Sequence, residues 1–153
     1  MKREPEWLTL QPMLAVHEQL VAEHGGDAGV RNLGLLDSAL AAPRHHYTYG
    51  KRDIFVLAAA YAYGITRDHS FIDGNKRTAF LAAYTFLGIN GWELNAPEEQ
   101  VVTMVVGLSD RSVSAEAFAE WLRMACRKPR RKRPRSRDEL QGMIGETTAE
   151  RVL

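Results

Sequence analysis

The sequence has almost no cysteine, since Cys126 is the only one in 153 residues. One cysteine cannot form a disulfide within the chain, which excludes a disulfide-stabilised scaffold and favours a reducing, cytoplasmic environment. Long apolar runs are also missing. The longest uncharged stretch, residues 78–92, is interrupted by threonine, glycine and asparagine, so we expect no transmembrane helix. Residues 1–6 lack the apolar core of a signal peptide, and we therefore expect a soluble protein without a membrane partner.

The charges are distributed unevenly along the chain. Residues 1–122 contain ten Lys/Arg against fifteen Asp/Glu, a net charge of −5, whereas residues 123–153 contain ten against four, a net charge of +6. We therefore predict a folded domain over residues 1–127 and a basic tail over residues 128–153. The tail has too little apolar surface to order itself. It is either a solvated extension or a contact for nucleic acid or an acidic partner.

Hydrophobic periodicity predicts a mainly α-helical bundle of six helices. Caps and breakers set the predicted bounds. The first helix is expected over residues 11–23, the second from Asn32 to a stop at Pro43, and the third from an Asp53 cap to about residue 66. The fourth is expected from Gly74 or Asn75 to about residue 88. The fifth is expected from an Asn95 cap through Val101 to Leu108, and the sixth from a Ser114 cap to about residue 127. Residues 44–52 are expected to form an exposed loop or a small β-ribbon.

Residues 69–77, His-Ser-Phe-Ile-Asp-Gly-Asn-Lys-Arg, form a polar segment between two apolar helical stretches, residues 54–65 and 78–89. Burying an unpaired charge costs several kcal/mol. A dense polar cluster between two buried helices therefore indicates a functional site. Phe71, which alternates with polar neighbours, is expected to point inward and fix the loop. The segment is therefore the predicted active site.

The residue types in this segment suit phosphoryl or nucleotidyl transfer. A helix that starts near Asn75 directs free N–H groups and its positive dipole end at the preceding loop, which makes an anion site. Lys76 and Arg77 add cations where helix stability alone would favour acids. Asp73 is a hard oxygen ligand that suits Mg2+. His69 can accept the proton of an attacking hydroxyl.

The nine-residue segment resembles the signature of the Fic/Doc (Fido) superfamily, whose wider pattern is His-Pro-Phe-x-Asp/Glu-Gly-Asn-Gly-Arg. Lys76 stands where Fic enzymes have the second glycine, and Phe80 stands where a second arginine would fall. Both departures are typical of the Doc (death-on-curing) toxin branch. The resemblance covers roughly residues 7–127 and implies a compact six-helix bundle with a small β-ribbon flap, for which residues 44–52 are the best candidate.

The resemblance also implies an activity, in which ATP is the phosphate donor and Mg2+ the cofactor. Doc-type toxins are associated with transfer of the ATP γ-phosphate to a hydroxyl of a translation elongation factor, which blocks translation. A small Phd-like antitoxin neutralises them by folding a helix into a groove. The implied catalytic residues are His69, Asp73, Lys76 and Arg77, with Asp73 as the metal ligand, and the implied nucleotide-binding residues are Gly74, Asn75, Lys76 and Arg77.

Other hypotheses remain open at this stage. A Fic-type transferase would deliver AMP instead of phosphate, and a non-catalytic toxin–antitoxin or nucleic-acid-binding module would have no need of a base such as His69. His17 and His24 lie two turns apart on one predicted helix, but a metal site usually pairs ligands four residues apart with a further ligand nearby. Cys126 is expected to be inert.

Overall fold

The computed structural model describes residues 3–129, and within them helices dominate. Six helices accompany one two-stranded antiparallel ribbon. In chain order the elements are α1 (Leu10–His24), α2 (Leu33–Thr48), α3 (Ile54–Asp68), α4 (Asn75–Ile89), β1 (Glu93–Leu94), α5 (Glu98–Asp110), α6 (Ala115–Ala125) and β2 (Cys126–Arg127). The predicted mainly α-helical, six-helix architecture is confirmed. The basic tail, apart from its first two residues, lies outside the described residues.

Helices α3 and α4 form the centre of the bundle. Helix α3 contacts α2, α4, α5 and α6, and α4 also contacts α1, α5 and β1. Nearly every residue of α4 beyond its first turn is buried, as its all-round apolar pattern predicted. None of the helices in residues 3–129 is long and apolar enough to cross a membrane. The predicted active-site segment therefore joins the two most deeply packed helices of the domain.

Three helices begin at the polar side chains that the sequence predicted as caps. Each side-chain oxygen accepts a hydrogen bond from a backbone N–H in the first turn, which satisfies one of the unpaired donors there. The pairs are Asn32 with Leu35 at 3.0 Å, Asp53 with Phe55 at 2.9 Å and Ser114 with Ala117 at 3.0 Å.

The predicted Asn95 cap of α5 is wrong. Helix α5 begins at Glu98 with Pro97 at the N-cap position and no side-chain cap. The Asn95 N–H instead donates to the Ala125 carbonyl oxygen at 3.0 Å, which continues the pairing of β1 with β2. The ribbon takes up the backbone at Asn95 and delays the start of the helix to the proline, whose fixed φ suits a helix start.

The prediction that Pro43 ends the second helix is also wrong. Helix α2 continues through the proline to Thr48 and buries it. An interior proline costs about 3 kcal/mol, because it removes one backbone hydrogen bond and crowds the preceding turn. Packing of the last turn offsets that cost: the Tyr47 ring lies edge-on to Trp7 at 5.6 Å, and the Arg52 guanidinium lies 4.6 Å from the Tyr47 ring centroid.

The β-ribbon flap predicted at residues 44–52 is not found there. The first half of that segment is the end of α2, and the rest is the short connection to α3. Because α3 has 15 residues and rises 1.5 Å per residue, this connection lies about 22 Å from His69, at the opposite end of the helix. The ribbon that does form pairs Glu93 with Arg127 and Leu94 with Cys126.

Close packing of α2 on α3 generates a stability prediction. A methyl group on Gly64 of α3 would lie 3.1 Å from the Ala39 Cβ and 3.3 Å from its Cα, which is too close for a backbone that cannot move away. Gly64→Ala should therefore lower the free energy of unfolding by about 1 kcal/mol, the overpacking cost less the helix-propensity gain.

Gly34→Ala is the matched control, because its added methyl group meets only the Asn32 side-chain oxygen at an ordinary 3.4 Å. That change should leave stability unchanged or raise it by up to about 1 kcal/mol. Urea unfolding of both variants measures the difference, and equal effects at the two glycines would contradict the close α2–α3 contact.

Candidate active site

Two residues with left-handed backbone conformation bracket the loop that carries the motif. His69, the residue that ends α3, has φ 46° and ψ 51°, and Gly74, which precedes α4, has φ 78° and ψ 20°. Glycine adopts this conformation readily, whereas a histidine does so only when its surroundings hold it there. The loop therefore turns sharply at each end, and the His69 side chain is exposed at the first turn.

The side-chain amide of Asn75 closes this loop. Its Oδ1 accepts a hydrogen bond from the Phe71 N–H at 3.1 Å, and its Nδ2 donates to the Phe71 carbonyl oxygen at 3.0 Å. The amide thus mimics a paired strand and connects the first turn of α4 to the middle of the loop. Phe71 itself is fully buried, as its position in the motif predicted.

His17 on α1 is a site residue whose role the sequence analysis missed. Its ring stacks on that of Phe71 at 3.8 Å with 13° between the planes, and its Nε2–H donates to the Asp73 carbonyl oxygen at 2.7 Å. His17 is only 3% exposed. The sequence did contain a signal for this role: His17 lies on the apolar face of an amphipathic helix. A polar side chain in that position requires a buried hydrogen-bond partner.

The segment before α2 forms the other support of the loop. Val30 pairs with Phe71 as an antiparallel bridge, the Arg31 N–H donates to the Ser70 carbonyl oxygen at 2.7 Å, and the Ile72 N–H donates to the Gly29 carbonyl oxygen at 3.1 Å. The sequence analysis predicted no secondary structure for this connection between the first two helices. It is a short strand-like partner of the motif instead.

Arg31 adds side-chain contacts to this backbone pairing. Its Nε–H donates to the His69 carbonyl oxygen at 2.7 Å, and its terminal Nη2 donates to the Asp68 carbonyl oxygen at 2.8 Å. These carbonyls belong to the last turn of α3, where no donor within the helix is available. Sequence reasoning missed Arg31, because nothing local links it to a motif 38 residues later.

The start of α4 has the backbone and charge features from which the sequence analysis predicted an anion site. The first backbone N–H groups of the helix, those of Asn75, Lys76 and Arg77, have no acceptor within the helix. The first turn contains no acidic residue. The N–H groups and the two cations therefore present positive charge beside the loop, where a phosphate group is stabilised.

An unpaired side-chain atom of Arg77 also supports the interpretation that the start of α4 is an anion site. Its Nε is buried and has no hydrogen-bond partner within residues 3–129. Four other buried side-chain atoms in that part of the chain share this property, on His24, Ser70, Thr78 and Thr85, but Arg77 alone carries a permanent charge. A buried guanidinium N–H without a partner is costly, and an anionic ligand that reached it would remove that cost.

Asp73 is the motif residue that could hold a magnesium ion. Its Oδ2 accepts a hydrogen bond from the Asp27 N–H at 3.1 Å, and the side chain is otherwise exposed, which leaves carboxylate lone pairs for a ligand. Within the described residues there is no group of three or more His, Cys, Asp or Glu side chains that could hold a metal. Mg2+ suits such a site, because it commonly binds through one or two carboxylates together with substrate phosphates and water.

Within residues 3–129, the histidines and the cysteine outside the motif belong to no group of three or more side chains that could hold a metal. His17 is committed to the loop, so the His17–His24 pair does not form a metal site in the described residues. Burial raises the pKa of the Cys126 thiol to about 12, which keeps it protonated at neutral pH and fits the expectation that it is inert. His45 and His46 lie in the last turn of α2 and not in an exposed loop.

Comparisons with known proteins agree with the motif. A sequence profile described as the Fic/DOC family matches residues 7–87, just over half of the chain. One relative, Toxin Doc of Mycolicibacterium smegmatis, is 47% identical over 75 residues, which cover 47% of this chain and 57% of that protein. Another, Protein kinase doc of Escherichia phage P1, is 29% identical over 115 residues, which cover 74% of this chain and 90% of that protein. The chain thus spans little more than half the length of the first of these relatives.

The contacts of Asn75 generate a prediction about the loop. Asn75→Ala should lower the free energy of unfolding by about 1–3 kcal/mol, because the Phe71 N–H and carbonyl oxygen both lose their partner. Asn75→Asp keeps the acceptor for the Phe71 N–H but places a carboxylate oxygen opposite the Phe71 carbonyl oxygen, so it should also be less stable than the wild type. Chemical denaturation measures all three proteins, and an alanine variant as stable as the wild type would show that the paired bonds contribute nothing.

Proposed function

The chain belongs to the Fic/DOC family, and from that premise we propose that it is a Doc-like toxin that transfers the γ-phosphate of ATP to a hydroxyl group of a protein. The observation that carries the proposal is the buried, unpartnered Nε of Arg77 at a helix N-terminus without acidic residues. An unpaired guanidinium donor beside free backbone N–H groups favours an anion, and a phosphate group could accept hydrogen bonds from both. The names of the two relatives, a toxin and a protein kinase, support the same interpretation.

Each motif residue has a role in this proposal. His69 is exposed at the end of α3 and acts as the general base toward the target hydroxyl. The triphosphate binds to the N–H groups that follow Gly74, with Lys76 and Arg77 neutralising its charge. The Asn75 side chain is occupied by Phe71, so its contribution to phosphate binding is assigned to its backbone N–H.

The reaction is an in-line displacement at the γ-phosphorus. The target hydroxyl gives its proton to the His69 imidazole, and its oxygen forms the new bond to phosphorus. The bond from that phosphorus to the oxygen bridging to the β-phosphate breaks, and ADP leaves. Mg2+, when held by Asp73, neutralises phosphate charge. The backbone of the loop is held by His17 and Asn75 before ATP arrives, so little reorganisation of the loop is required.

Two positions favour transfer of phosphate over transfer of AMP. Phe80, at the position of the second Fic arginine, is 2% exposed and lies in the core against Tyr84, so no cation at this position holds the γ-phosphate away from the acceptor. Lys76, at the position of the second Fic glycine, is exposed and places a long cationic side chain beside the phosphate site. We therefore propose that ATP binds with its γ-phosphate toward His69.

The proposal extends to the biological partners. The protein substrate is a translation elongation factor, whose modification blocks translation, and a small Phd-like antitoxin neutralises the toxin. Contact of the basic tail with nucleic acid stays a prediction from the sequence. These partners are proposed from the family resemblance.

The position of the transferred label tests the proposed reaction. With wild-type protein, Mg2+ and a translation extract, ATP labelled at the γ-phosphate should mark a protein, whereas ATP labelled at the α-phosphate should not. His69→Ala should reduce labelling by about 10²–10⁴-fold, because it removes the general base. Lys76→Gly should reduce it as well, with Lys76→Arg as the control that keeps the charge.

Two other results would contradict the kinase proposal. Label arriving from the α-phosphate with wild-type protein identifies an AMP transferase. No labelling from either position, in a preparation that binds ATP and inhibits growth, identifies a non-catalytic module. A folded His69→Ala variant with full activity would overturn the assignment of the base.

A further inference from the structure

Arg31 lies outside the nine-residue motif, and no step of the reaction above uses it. We propose that Arg31 is a positioning residue for His69: its guanidinium holds the end of α3 in the left-handed conformation that presents the imidazole to the phosphate site. This inference rests on the proposed function for its kinetic consequence, but its structural content stands on contacts of the described residues alone.

The left-handed conformation of His69 costs free energy that contacts of the surrounding residues must offset. Among residues 3–129, His69 and Arg111 are the only residues other than glycine with positive φ. In the left-handed region the Cβ of an L-residue crowds the following carbonyl oxygen, so the conformation persists only where the surrounding structure enforces it. At His69 the chain passes from an exposed residue into Ser70 and Phe71, which are fully buried. The turn at His69 therefore cannot relax without moving buried residues.

Arg31 supplies such contacts to three consecutive carbonyl oxygens. Its Nη2 donates to Asp68 at 2.8 Å, its Nε–H to His69 at 2.7 Å and its backbone N–H to Ser70 at 2.7 Å. These three oxygens change direction as the chain leaves α3, and one residue binds all of them. The planar fork of the guanidinium fixes the angle between its two acceptors, which a lysine ammonium group cannot do.

The contact is not an ordinary ion pair. The Asp68 carboxylate is already paired with Arg67 at 2.8 Å, and Arg31 forms no salt bridge within residues 3–129. Its side-chain partners are neutral carbonyl oxygens of the main chain. The position of the His69 carbonyl therefore depends on the geometry of the Arg31 donors, while the Arg31 charge also stabilises the C-terminal end of α3.

Loss of Arg31 should consequently affect the chemical step and spare nucleotide binding. The groups proposed to hold the triphosphate are on α4, which Arg31 does not contact in any hydrogen bond of the described residues. A shift of the imidazole by about 1 Å can lower the rate about 10²-fold without changing affinity for ATP. A residue that only stabilised the fold would leave kcat unchanged in the folded protein.

The test compares Arg31→Met, which keeps the length of the side chain and removes its donors, with Arg31→Lys, which keeps the charge and loses the fork. Arg44→Met is the control, because Arg44 is an exposed α2 residue that lies over the Trp7 ring at 5.5 Å, away from the motif. For each full-length protein the measurements are kcat and KM for ATP, the melting temperature, and the 13C chemical shift of the His69 Cα, assigned with the His69→Ala protein.

We expect Arg31→Met to lower kcat by about 10–10²-fold with KM for ATP changed by less than about twofold. Arg31→Lys should recover only a small part of this loss in kcat. Arg44→Met should have the kcat and the His69 Cα shift of the wild type. The His69 Cα shift should move away from its wild-type left-handed value in Arg31→Met and Arg31→Lys. Wild-type kcat in folded Arg31→Met, or an unchanged His69 Cα shift, would overturn the proposal.

The two proposals fail in different ways. If wild-type protein transfers no phosphate, the proposed function is wrong, and the His69 Cα shift still decides whether Arg31 holds the loop. If wild-type protein transfers phosphate and Arg31→Met does so equally well, the function stands and Arg31 is not a positioning residue. If Arg31→Met does not fold, the folded Arg31→Lys protein decides by the same two measurements.

Discussion

The pair of hydrogen bonds between the Asn75 amide and the Phe71 backbone is the constraint on which the rest of the site depends. It fixes the distance between the end of α3, which carries His69, and the start of α4, which carries the free N–H groups. The stack of His17 on Phe71 and the bridge from Val30 then hold the same residue from two other elements. Three parts of the chain thus hold one buried residue, Phe71: two contact its backbone and one stacks on its ring.

The electrostatics of α4 fit the proposal that this position binds an anionic ligand. A helix start is stabilised by acidic residues, yet α4 begins with Lys76 and Arg77 and has no acid in its first turn. The arrangement therefore costs stability in the protein alone, by roughly 0.3–1 kcal/mol for each unfavourable charge. An anion that binds there recovers the loss. The buried Nε of Arg77, which has no hydrogen-bond partner within residues 3–129, would likewise be stabilised by a bound anion.

Local chemistry was enough to predict much of this structure. The caps at Asn32, Asp53 and Ser114, the start of α4 and the inward position of Phe71 each depend on residues only a few positions apart. The continuation of α2 through a buried proline could not be predicted in this way, because it depends on packing of Tyr47 against Trp7, 40 positions earlier in the sequence. His17 and Arg31 were missed for the same reason, since their partners lie 56 and 38 residues away. The flap was misplaced because a sequence resemblance carries the order of elements but not their lengths.

The central claim, that the first turn of α4 is a triphosphate site that directs the γ-phosphorus toward His69, is tested most directly by a crystal structure with Mg2+ and a non-hydrolysable ATP analogue. The account predicts phosphate oxygens on the N–H groups of Asn75, Lys76 and Arg77, a hydrogen bond from the Arg77 Nε to one of them, and the γ-phosphorus as the phosphorus nearest the His69 imidazole. A triphosphate bound elsewhere, or bound with its α-phosphorus nearest His69, would contradict it.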